Sequence, residues 1–178
     1  MGRLKPARLF GMLLVIFLLI WPIYQIYGML QPSRTKHDAT FLLYQVSLFQ
    51  LELLSNLLGE AEKAAHTGQL NALRQAAYSV NYTHERLVLA VGEDRLSELS
   101  SIPQLLQYIM RLQLGGERQL KTEERDTLTE IRNGYKSIYD DYTKLMAASG
   151  TTVIASQNEK VVKIDQELTD MLRKKLLQ

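Results

Sequence analysis

The sequence predicts an all-α protein, in which a single N-terminal transmembrane helix is followed by an antiparallel helical bundle with coiled-coil-like packing. The bundle should contain four long helices and a short one. Residues 9–30 carry no formal charge, and apolar residues recur at helical spacing through much of the remaining chain. Strand-prone residues are confined to one short run at 151–155, which we predict to be a connector between helices.

Residues 9–30 form the predicted transmembrane signal-anchor helix. Twenty-two helical residues rise about 33 Å, enough to cross a hydrocarbon core of roughly 30 Å. The basic leader, residues 1–8, would also suit a cleaved secretory signal. However, the segment ends around Trp21, Pro22 and Tyr24 and lacks the alternating small residues of a cleavage site. We therefore expect an uncleaved anchor with aromatic residues near the lipid headgroups.

The charges around this segment predict its orientation. Three Lys or Arg residues precede it and two follow it, so the positive-inside rule favours a short cytoplasmic leader and an extracytoplasmic C-terminal domain at the cell membrane. Residues 31–37 form the juxtamembrane linker, and residues 38–178 form the domain. The absence of cysteine is typical of exported domains that avoid stray oxidation. No second membrane span is predicted.

The domain is mildly acidic, although the whole chain is basic. Residues 38–178 contain 16 Lys and Arg residues against 19 Asp and Glu residues, a net charge of −3. The basic isoelectric point therefore belongs to the anchor and its flanks. With no dominant basic patch, we expect no binding to nucleic acid.

The first helix of the domain is predicted to begin at Asp38 and to end at Thr67-Gly68. It has more apolar positions than one helix seam can use, which favours contact with a partner helix. The candidate interaction stripe consists of Leu42, Val46, Phe49, Leu53 and Leu57, and it is widened by Leu43, Leu54 and Leu58.

Two other long helices have heptad spacing, with apolar residues three and four positions apart. The second helix carries Leu70, Leu73, Ala77, Val80, His84, Leu87 and Val91 on this seam. The fourth carries Leu128, Ile131, Tyr135, Ile138, Tyr142 and Leu145 and should end at Ser149-Gly150. We expect both seams to face the core of the bundle.

The short third helix and the last helix complete the predicted bundle. Ser101 is the predicted N-cap of the short helix, with Gln104 in the capping-box position, and the helix is apolar on most sides and should be buried. The last helix has the seam Val161, Ile164, Leu168 and Met171.

The sequence offers little for catalysis or metal binding. The three histidines do not have metal-ligand spacing and there is no cysteine, and no nucleophile motif is present. We therefore predict no enzyme activity, no catalytic or metal residues and no cofactor. His84 is the candidate pH-sensitive residue, because an imidazole in an apolar seam can titrate near neutral pH. The alternative is a core histidine with its hydrogen bonds satisfied.

Two functions remain open. The first is an interaction module, acting as a scaffold or assembly factor that binds a partner protein or forms a homo-oligomer. The second is a sensor or ligand-binding bundle that signals through a partner, with His84 as a proton-responsive group. In outline the chain resembles the anchored four-helix ligand-binding regions of bacterial receptors, but we predict neither their second span nor their cytoplasmic output domain.

Overall fold

The computed structural model describes Trp21, residues 33–147 and residues 152–177. The helices are α1 (Ser33–Ala61), α2 (Asn71–Val91), α3 (Ser101–Gln113), α4 (Thr122–Tyr142) and α5 (Ala155–Leu177), and a 3₁₀ turn spans Thr67–Leu70. Within these described residues there are five α-helices and no strand, which confirms the all-helical prediction. Apart from Trp21, the predicted anchor at 9–30 lies outside the described residues.

Residues Asp38–Gln178 form one compact unit. In it, α3 packs against α2 and α5, and α5 packs against α4. Every member of the two predicted heptad seams, in α2 and α4, is buried. Apart from His84, these buried residues belong to one continuous hydrophobic core, to which all five helices contribute. Helical spacing therefore identified the inward faces of α2 and α4 correctly.

Helix α3 is buried on most sides, as predicted. Its buried apolar residues are Ile102, Leu105, Leu106, Tyr108, Ile109 and Leu112. The predicted N-cap is wrong, because the helix already begins at Ser101 and Ser100 occupies the cap position without capping through its own side chain. The cap comes from a distant helix, as described below.

The connection after α1 also differs from the sequence prediction. Regular helix ends at Ala61 rather than at Thr67-Gly68. Beyond this end, the amide of Thr67 donates to the carbonyl of Arg118 at 2.8 Å and its hydroxyl donates to the carbonyl of Gly116 at 3.0 Å. Tertiary hydrogen bonds to the α3–α4 connection thus hold Thr67 outside regular α-helix, at a position where the sequence predicted that the helix continues.

The last connection contains the strand-prone run. Val153 forms an isolated antiparallel bridge with Met146, and α5 begins two residues later at Ala155. The prediction of a connector is therefore confirmed for residues 152–154, whereas Ala155 already belongs to α5. Helix α4 ends at Tyr142, and the predicted stop at Ser149-Gly150 lies outside the described residues.

Two glycines have specific structural roles. Gly92 ends α2 with a φ of 110°, a region that L side chains rarely adopt. Gly134 lies in the middle of α4, where an added Cβ would lie 2.5 Å from the side chain of Leu168. The missing side chain therefore allows α4 and α5 to approach each other closely.

Candidate interaction surface and buried polar contacts

Helix α1 has two apolar faces. The buried face consists of Tyr44, Ser47, Leu51, Leu54, Leu58 and Ala61. At 100° per residue, the candidate interaction stripe points about 140° away from this face. One helix therefore supplies apolar side chains both to the core and to the opposite side.

The stripe is largely exposed. Leu42 is 59% exposed, Val46 45%, Phe49 61% and Leu53 38%. Leu57 is only partly exposed and packs against the hydrophobic core. Leu42, Val46, Phe49 and Leu53 thus form a continuous exposed apolar surface, which we call the α1 stripe. Isolated exposed apolar residues are common, whereas a contiguous set on one face is typical of interaction sites.

Tyr44 fixes α1 to the rest of the domain. Its hydroxyl donates to the backbone carbonyls of Tyr142, at 2.8 Å, and of Thr143, at 3.1 Å. The Tyr44 and Tyr142 rings also stack, with their centroids 5.8 Å apart. Because the hydrogen bonds reach carbonyls at the end of α4, they satisfy acceptors that the helix itself leaves free. The α1 stripe is therefore presented by a helix held in a defined orientation.

His84 is a buried histidine with both ring nitrogens bonded. Its Nε2 lies 2.9 Å from the carbonyl oxygen of Ser97, and its Nδ1 lies 3.0 Å from the hydroxyl of Tyr142. A carbonyl only accepts, so Nε2 carries the proton and the Tyr142 hydroxyl donates to Nδ1. These bonds connect α2, α4 and the connection between α2 and α3.

Burial also determines the charge of His84. Loss of solvation lowers its pKa from 6.5 to about 4, although the hydrogen bond to Ser97 acts in the opposite direction. The imidazole is therefore neutral from pH 5 to 8, the interval in which a physiological switch would act. This geometry favours the alternative of a satisfied core histidine.

The N-terminus of α3 is capped by Asp165 of α5, which the sequence analysis missed. One carboxylate oxygen accepts from the amide of Ser101 at 3.0 Å and the other accepts from the amide of Ser100 at 2.8 Å. The Ser101 hydroxyl donates to the same carboxylate at 2.5 Å and also lies 2.8 Å from the hydroxyl of Tyr135.

The surroundings of Asp165 shift the pKa of its carboxyl group. Burial raises the pKa of the carboxyl group, and the hydrogen bonds from Ser100 and Ser101 partly oppose this shift. A signal in the sequence was available, because Val161, Asp165 and Leu168 follow the same spacing of four and three as the predicted seams. An acid on a seam position predicts a buried partner for it.

Two clefts among the described residues are polar. One of about 530 Å³ lies between α1 and α4, and it is lined by charges of both signs, including Glu52, Lys63, Arg132 and Asp140. Another, of about 210 Å³, lies beside His84. Binding sites for small molecules are usually 300–1,000 Å³ and mainly apolar. The first cleft has the volume but not the lining, and the second is too small.

Helix α1 also has a composition suited to a membrane. Its stretch Ala39–Ala61 is long and apolar enough to cross one. The sequence predicted no span after residue 30. The double apolar face explains the composition, because α1 carries core residues on one side and the α1 stripe on the other.

Among the described residues, no three His, Asp or Glu side chains are grouped so as to hold a metal ion. Comparisons with protein families, with characterised proteins and with solved structures find no match for this chain.

Proposed function

We propose that this protein is a membrane-anchored extracytoplasmic interaction module, which acts as a scaffold or assembly factor. Residues 9–30 would anchor it, and the antiparallel bundle would stand outside the membrane, as the charges around the span favour. The observation that carries the proposal is the α1 stripe, which lies opposite the face that the same helix buries. A helix that needed only to close its own core would not require this second face.

The sensor alternative has less support. Neither polar cleft combines the volume and the apolar lining of a typical ligand site. His84 is neutral over the physiological range, because its pKa is about 4. Both features on which a sensor would depend therefore favour the interaction module.

The test is association of the full-length protein in its own membrane. We expect the double substitution Leu42→Asp with Phe49→Asp to abolish crosslinking to neighbouring proteins, because two charges would have to be desolvated in the interface. Both side chains are mainly exposed, so the fold should be unaffected. Leu57 is unsuitable for substitution because it packs against the core.

Leu89 provides a matched control. It is 61% exposed on α2. Leu89→Asp combined with Tyr82→Asp, at a residue that is 63% exposed on the same helix, adds the same two charges away from the α1 stripe. The proposal requires that this variant keep the crosslinks that the double variant loses. Unchanged crosslinking in the double variant would refute the interaction surface. Digestion of residues 38–178 by an external protease in intact cells would test the proposed sidedness independently.

A further inference from the structure

We infer that the α1 stripe pairs with the same stripe on a second copy of this chain, with the two α1 helices parallel. This inference rests on the proposed interaction module and specifies its partner. The four members of the stripe are spaced four, three and four residues apart, which is the a and d spacing of a two-helix seam. An identical helix presents identical spacing, so its side chains can fill the gaps of the first.

The charges of α1 suit self-pairing. Residues 39–51 contain no Asp, Glu, Lys or Arg, so a two-fold pair brings no like charges together along this stretch. With Val46 and Leu53 at a positions and Leu42 and Phe49 at d positions, Gln45 occupies position g and Gln50 position e. In a parallel pair, g of one helix lies beside e of the next heptad in the partner helix.

Gln45 of one copy would therefore meet Gln50 of the other, and this pair would occur twice because of the two-fold symmetry. An amide side chain both donates and accepts hydrogen bonds, so two glutamines complement each other. Gln45 is exposed and Gln50 is partly exposed. The flanks of the α1 stripe, like the stripe itself, are thus suited to an identical partner.

The size of the surface fits a tethered dimer. The exposed parts of the four apolar side chains amount to roughly 350 Å², within the range of functional patches on monomers. Two copies with their flanks would bury roughly 1,000 Å², close to the lower limit for a stable interface. Anchoring both copies in one membrane would raise their effective concentration.

The native chain has no cysteine, so single cysteines can test this geometry in full-length protein in membranes. Parallel two-fold pairing places each seam residue near its own copy, within the distance of about 7 Å that a disulfide requires between Cα atoms. We expect mild oxidation to give about tenfold more covalent dimer for Val46→Cys and Phe49→Cys than for two exposed controls. These controls are Glu52→Cys, beside the seam, and Gln75→Cys, on α2.

A charge design then tests the orientation in the Phe49→Cys background. Gln45→Glu with Gln50→Lys places opposite charges together in a parallel pair but like charges together in an antiparallel one. Gln45→Glu with Gln50→Glu places like charges together in both the parallel and the antiparallel pair. We expect about tenfold more dimer for the first combination than for the second, from two attractive pairs against two repulsive ones. Equal yields, or less dimer for the first combination, would overturn the parallel arrangement.

The outcomes distinguish the two proposals. Dimer formed equally at Gln75→Cys and at the seam would reflect random collision and would overturn self-pairing. If no dimer forms at the seam but a photocrosslinker at Phe49 captures a different protein, self-pairing is wrong and the interaction module stands. If Phe49 captures no protein of either kind, both proposals fail.

Discussion

Replacing His84 with glutamine should remove a specific acid sensitivity from the fold. Glutamine can still donate to the carbonyl of Ser97 but does not titrate. In the native chain the folded-state pKa of His84, about 4, is below the ordinary value of 6.5. As the pH falls from 6.5 to 4, the unfolded chain therefore binds a proton at His84 that the folded chain does not bind. The contribution of His84 to the free energy of unfolding is fully present above pH 6.5 and is lost progressively towards pH 4.

The magnitude follows from the size of the shift. One pKa unit corresponds to about 1.4 kcal/mol, so the full loss below pH 4 is about 3 kcal/mol. At pH 5 about 2 kcal/mol is already lost. Asp165 titrates with the opposite sign, because its pKa is raised in the fold and protonation on acidification favours the folded state. Since both chains contain Asp165, its contribution cancels in the comparison.

The assay is urea unfolding of the full-length protein in detergent, followed by far-ultraviolet circular dichroism at pH 7.5 and pH 5. We expect the native chain to lose about 2 kcal/mol more of its unfolding free energy between these pH values than His84→Gln. The variant should be less stable at pH 7.5 by about 1 kcal/mol, because the Tyr142 hydroxyl loses its acceptor. If the two chains show the same pH dependence, the argument for a buried neutral imidazole is refuted.

Two further predictions concern stability. Asp165→Ala should lower the free energy of unfolding by about 2–3 kcal/mol, because it leaves the N-terminal amides of α3 without an acceptor. The control Asp170→Ala, at an exposed position of the same helix, should change it by less than about 0.5 kcal/mol. Equal effects of the two substitutions in urea unfolding would contradict the cap. Gly134→Ala should destabilise by about 1–3 kcal/mol, since its Cβ would lie 2.5 Å from Leu168. Gly59→Ala, which meets its neighbour at 3.5 Å, should stabilise by about 0.5–1 kcal/mol, and thermal melts that shift both variants the same way would refute this contrast.

The sequence predicted the core best where a helix has one apolar face. The α4 seam has mostly polar residues on its other sides, so a single inward orientation satisfies the pattern. In α2 the regular spacing of the seam identified the inward face, although Tyr78, Tyr82 and Leu89 are exposed on the other side. Even the polar seam residue His84 was placed correctly, because its position in the heptad outweighs its chemistry. Helix identity and order followed from the same periodicity and from glycines between the helices.

Prediction was weaker where the decisive contact is distant in sequence. In α1, apolar residues on two faces left the inward face undetermined until Tyr44 was seen to bond to the end of α4. The position of the segment after α1 depends on the bond from Thr67 to the α3–α4 connection. The cap of α3 depends on Asp165, which is 64 residues from Ser101. Local propensity contains no information about such pairs.

The distant cap also has a consequence for how the protein folds. Most helix caps lie within a few residues of the helix they close, so the helix can be stabilised as soon as its own segment exists. Here the first turn of α3 obtains its acceptor only when α5 has docked. The stability of α3 is therefore coupled to the C-terminal part of the chain, which favours all-or-none folding over helix-by-helix accumulation. The amide proton of Ser101 therefore reports whether α5 has docked against α3.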